Sequence, residues 1–145
     1  MRVQDIYDIT MALMDEMKDN RNLNSEPVAD YQSTKDYAAR TPGILTILQT
    51  EVIIELKKSG ADVDTLDRLT TMNDEVELED DICMGVLPYG LAARLLGQED
   101  TALSNYFSSL YQSGLSDVAK TSEDKYIAEQ IDREDVYNST MEVGD

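Results

Sequence analysis

Apolar positions along this chain recur mostly at helical spacing. Over residues 3–18, Val3, Ile6, Met14 and Met17, with Tyr7, Thr10 and Leu13 beside them, close one face of a helix. Asp5 and Asp8 occupy its first turns, where the helix dipole favours negative charge. Residues 20–27, NRNLNSEP, read as a polar connector. Over residues 28–40 the pattern weakens, although Ser33-Thr34-Lys35-Asp36 resembles a capping box that opens a short helix containing Tyr37. Thr41-Pro42 is a stronger start, since Thr caps and Pro suits the first helical position. The helix it opens, residues 42–59, is the strongest in the chain. Ile44, Leu45, Ile47, Leu48, Val52, Ile53, Ile54 and Leu56 wrap most of its circumference, Lys57 and Lys58 complement the dipole at its end, and Gly60 supplies the stop. A helix apolar on so much of its surface is either central in its own domain or sandwiched between subunits.

Residues 61–78 alternate loosely, and Leu66, Leu69, Met72, Val76 and Leu78 are compatible with an ordered loop, a short helix or a small hairpin. Two helices follow, over 80–96 and 100–112, with Gly97 and Gly114 as terminators. Pro88 lies within the first. It removes a backbone donor and leaves the Met84 carbonyl without its usual partner, so the helix kinks there or begins a second segment. Gly85 and Gly90 leave room on either side for another backbone. The pattern predicts an all-α protein: a small bundle of about four to five helices over residues 1–113, kinked at Pro88, and an extended acidic C-terminal tail over residues 114–145. Its last portion, residues 138–145, is expected to be loosely held without a partner.

Charge changes the picture more than length does. The 145 residues carry a net charge of −18 and no histidine. Such charge repels nucleic acid and membrane surfaces and strains the compact state by self-repulsion. No cluster of cations exceeds Lys57-Lys58, so a direct nucleic-acid binder is disfavoured. No apolar run nears the roughly 18 residues needed to span a bilayer. The N-terminus becomes amphipathic at once, unlike a signal peptide. Cys83 is the sole cysteine; it lies in an apolar run with no histidine to activate it, and reads as a small buried hydrophobe.

Without histidine there is no Ser-His-Asp or Cys-His nucleophile, no histidine zinc ligand and no Glu-x-x-His pair for a di-iron bundle. The seven glycines form no phosphate loop, and nothing singles out one acid pair from thirty carboxylates, so the reading is of a non-enzyme without cofactor. Residues 74–81 pack six acids into eight positions but lack the glycine of a calcium loop, and read as a solvated charge run that caps a helix at Asp80 or Asp81. Tyr106, Phe107 and Tyr111 share helical spacing with Leu103 and Leu110 and read as core.

Three blocks together carry a family resemblance: the helix from Val3 to Glu16; Asp36-Tyr37-Ala-Ala-Arg-Thr-Pro-Gly-Ile-Leu-Thr-Ile-Leu-Gln-Thr-Glu51; and Asp80-Asp81-Ile82 through Leu87-Pro-Tyr-Gly-Leu-Ala-Ala-Arg-Leu-Leu to Glu99-Asp100 and Asn105-Tyr-Phe. In order and spacing they are similar to the head–tail connector (adaptor, or head-completion) proteins of tailed double-stranded DNA phages. The blocks cover somewhat more than half the chain, and the segment beyond Gly114 matches none of them. The resemblance implies a helical subunit of a ring, usually twelvefold, that docks on the portal protein and offers a platform to a tail-side neck or tail-completion protein. Its partners would be further copies of itself, those two proteins and the passing double-stranded DNA, with no membrane. Its place would be the neck of the virion, and the host cytoplasm during assembly.

On that reading Ile47, Ile54, Pro88, Tyr89 and Tyr106 are subunit or portal interface residues, and Tyr126, Ile127, Ile131 and Tyr137 extend that interface along the tail. Asp74, Glu75, Glu77 and Glu79 would line a channel whose negative charge lets DNA slide. The alternative is an acidic interaction protein, such as a DNA mimic inhibiting a nucleic-acid-binding enzyme. Mimicry asks for regular rows of acids, whereas these cluster in loops and tail.

Overall fold

A computed structural model describes the backbone of residues 1–21, 36–97 and 99–143, and the side chains of 1–17, 36–97 and 99–122. The described chain is all-α. Its helices are α1 (Val3–Arg21), α2 (Tyr37–Lys58), α3 (Asp80–Gly85), α4 (Leu87–Leu96) and α5 (Thr101–Val143). The capping box expected over residues 33–36 lies largely outside the described residues, as does most of the polar connector, although α1 continues through Asn20 and Arg21.

The first four amides of a helix have no partner within it. In α1 the amides of Val3 and Gln4 donate to the carbonyls of Asp74 (3.0 Å) and Met72 (2.8 Å), and those of Asp5 and Ile6 donate to the Arg2 carbonyl. Asp5 in turn accepts from the Arg2 amide at 3.1 Å, the reciprocal half of a capping box. Residues 61–79 thus form an ordered loop, the first of the three possibilities. A single bridge joins Arg2 to Glu75, and Leu69 and Val76 plug the loop into the core.

The helix expected from Pro42 begins earlier. α2 opens at Tyr37, and Thr41 is an interior residue whose hydroxyl donates to the Tyr37 carbonyl at 2.8 Å. Pro42 is tolerated because the carbonyl deprived of a donor is that of Ala38, which is exposed and can turn to water. At the other end, the Gly60 amide donates to Lys57 and the Ala61 amide to Leu56, with Gly60 at φ 97°: a Schellman stop.

Pro88 divides its segment as expected, by starting a second helix. Val86, at φ −124° and ψ −55°, separates α3 from α4, and Pro88 falls in the first turn of α4, where no intrahelical donor is required. Gly97, at φ 41°, closes α4, and the Asp100 carboxylate caps α5 by accepting from the Leu103 amide at 3.1 Å.

The predicted stop at Gly114 does not occur. α5 continues to Val143, so the backbone of most of the expected extended tail is helical, and the boundary placed between residues 113 and 114 falls inside one helix. Gly114 serves close packing instead: a Cβ there would lie 3.2 Å from the Val86 side chain, where α5 crosses the α3–α4 junction. Leu115 is buried and Val118 packs on the core, so the core itself extends past that boundary.

α4 is the central helix, in contact with all four others. Eight of its ten residues are buried. Around it pack Ile6, Met11 and Met14 of α1, Leu45, Leu48 and Val52 of α2, and Leu103, Phe107 and Tyr111 of α5. Cys83 is fully buried in the same core, as its apolar setting implied, and burial pushes its thiol above its ordinary pKa. The Gly90 position allows the closest approach: a Cβ there would lie 2.8 Å from Tyr111 and 2.9 Å from Leu48. Gly85 has no such neighbour, so the approach expected there is absent.

Candidate interaction face

One side of α2 is turned away from this core. Arg40, Gly43, Ile47, Glu51, Ile54 and Lys58 follow one another at steps of three and four, so they share a face. All are exposed except Glu51, which is half-buried. Ile47 retains 52% and Ile54 46% of its accessible surface, which puts them among the four large apolar residues exposed in the described chain. Their neighbours Leu45, Leu48, Val52 and Ile53 point the other way and are buried. The surplus apolar surface seen in the sequence thus divides into a core side and a solvent side.

Glu51 anchors this face to the rest of the fold. Both of its carboxylate oxygens accept from Arg94 of α4 at 2.7 Å, and one also accepts from the Tyr111 hydroxyl of α5 at 2.9 Å. Burial, and then the Glu51 charge, push the Tyr111 phenol above its ordinary pKa, so it remains a neutral donor. At the start of α2, Arg40 lies over the Tyr37 ring, 5.3 Å from its centroid, and donates to the Leu95 carbonyl near the end of α4. Tyr37, fully buried, donates to Glu99. These pairings are not legible in the sequence. Partners 43 and 60 residues apart leave no local spacing signal.

On another side α2 holds the acidic loop. The Leu69 amide donates to the Thr46 hydroxyl at 3.0 Å, and the buried Gln49 donates to the Asp67 carbonyl at 2.7 Å. Asp74 turns its carboxylate into its own loop. It accepts from the amides and hydroxyls of Thr70 and Thr71 at 2.7–3.1 Å, which holds its pKa down at about 2. Glu75 lies 3.0 Å from the Met1 amino group. Glu77, Glu79, Asp80 and Asp81 are exposed. Asp80 opens α3, but α3 begins with no side-chain cap, so the capping role expected of Asp80 or Asp81 is not filled. Among the described residues no cluster of His, Cys, Asp or Glu has metal-holding geometry, and no helix is long and apolar enough to cross a membrane.

The other expected interface residues divide three ways. Tyr106 is exposed at 47%, its ring edge-on to the buried Phe107 with centroids 5.5 Å apart. Pro88 is buried within the subunit and Tyr89 half-buried, so neither offers the free surface that Ile47 does. The side chains of Tyr126, Ile127, Ile131 and Tyr137 lie outside the described residues. Met84 of α3 is also exposed, at 46%, although it sits in an otherwise apolar run that reads as core. Comparison with protein-family models, with curated proteins and with solved structures gives no match.

Proposed function

We propose that this chain is a structural subunit of a phage neck, assembling into a ring that joins the portal of the head to the tail and continues the DNA channel. The observation that carries the reading is the exposed apolar stripe of Ile47 and Ile54 on a helix otherwise committed to the core. Exposed aliphatic side chains on one helical face are the kind of surface that a subunit contact covers. The three sequence blocks resembling connector proteins supply the kind of assembly.

Particle mass by light scattering, for the purified chain alone and mixed with a portal protein, tests the proposal. A ring-sized particle or a portal complex is the expected result. A monomer indifferent to the portal that instead inhibits a nuclease would establish the acidic-mimic alternative.

A further inference from the structure

The charge of this molecule is unevenly distributed, and the unevenness coincides with the apolar stripe. α2 and α4, tied together through Glu51 and Arg94, carry Arg40, Lys57, Lys58 and Arg94 against only Glu51 and Glu55. Glu51 is paired with Arg94 and Glu55 with Lys58 at 3.4 Å, which leaves Arg40 and Lys57 as the uncompensated charges. In a chain of net charge −18, the helix bearing Ile47 and Ile54 is therefore locally cationic. The opposite holds for the loop beyond it. Glu75, Glu77, Glu79, Asp80 and Asp81 are all exposed, and Arg68 is the only cation over residues 61–79.

The early part of the loop, at Asp67 and Leu69, is bonded to α2 through Gln49 and Thr46, which flank Ile47 in sequence. At 3.6 residues per turn these two side chains stand about 160° and about 100° from Ile47 around the helix, so the loop leaves the Ile47–Ile54 face uncovered. The cationic helix and the acidic segment are two different surfaces of one subunit, and a ring joins unlike surfaces. Head to tail, each copy offers its cationic helix to the acidic segment of the next.

We infer that the Ile47–Ile54 face of α2 docks a second copy of this chain, receiving the acidic segment around Glu77 and Glu79 of that copy. The inference rests on the ring reading and deepens it by naming the two surfaces that meet. Lys57 and Lys58 set the register by charge, and the two isoleucines supply the area that water leaves. Because the attraction is between exposed charges, association weakens as salt rises, even as screening relieves the repulsion between the acidic bodies.

The test uses two full-length variants with preserved helicity by circular dichroism. Lys57→Glu/Lys58→Glu makes both surfaces acidic; Glu77→Lys/Glu79→Lys makes both basic. Alone, each is expected to associate about tenfold more weakly than the parent chain or worse, since like charges would then face each other. Mixed one to one, they regain particles of the parent's mass, because every contact again joins opposite charges. A variant that assembles alone as well as the parent, or a mixture that stays dissociated, overturns the assignment of these surfaces while leaving the ring reading standing. A parent chain that remains a monomer at all concentrations, with and without portal protein, overturns both.

Discussion

Asp74 shows how a single side chain can make a loop behave as structure. Its carboxylate gathers two amides and two hydroxyls while its carbonyl receives the first amide of α1. With its folded pKa lowered from 3.8 to about 2, the ionised form is the one the fold selects. That contribution is fully present above the unfolded pKa near 3.8 and is lost as pH falls towards 2. Asp74→Asn should therefore be less stable than the parent at neutral pH, and its urea midpoint should fall less between pH 4 and pH 2. Parallel pH curves for the two proteins would remove Asp74 from the acid response. Gly90 and Gly85 make a second contrast at this scale. Gly90→Ala places a methyl against Tyr111 and Leu48 and should cost about 1–3 kcal/mol. Gly85→Ala meets open space and should be neutral or gain up to about 1 kcal/mol. Equal urea midpoints for the two variants would contradict the packing described at α4.

Helix ends were readable from sequence where the signal was local. Gly60 after Lys57-Lys58 announced its stop, and the φ of 97° explains why glycine is needed there. Gly60→Ala should lose about 1–2 kcal/mol through the left-handed backbone alone, measurable as a lower thermal midpoint with unchanged helix content. The same residue type misled at Gly114, because a glycine that lets two helices approach looks in sequence like one that ends a helix. Pro42 misled for a related reason: an exposed carbonyl one turn back lets proline sit inside a helix, and exposure is a tertiary property. The apolar stripes of α1, α2 and the α3–α4 segment were legible as core. Which side of α2 remained outside was not, since that depends on where α4 and the loop settle. The Glu51–Arg94–Tyr111 junction was illegible for the same reason, its partners being brought together only by the packing of three helices.

At the level of the whole molecule, the net charge of −18 sets self-repulsion against a modest core. Raising ionic strength from about 0.01 M to about 1 M shortens the Debye length from about 30 Å to about 3 Å. The half-exposed Arg94–Glu51 pair would lose at most about 1 kcal/mol by this. The thermal midpoint of the chain should therefore rise with salt, and a midpoint that falls would show that attractive pairs outweigh the repulsion. The pairing of the first residues with the distant loop has a consequence in time. α1 is synthesised before every other helix, yet the carbonyls that receive the amides of Val3 and Gln4 belong to Asp74 and Met72. Closing a loop of some seventy residues is an entropic delay that no local helix propensity removes. The first helix made is thus among the last to be seated, and a nascent chain must hold its apolar face in waiting until residues 72–76, and then α4 on which it packs, have emerged.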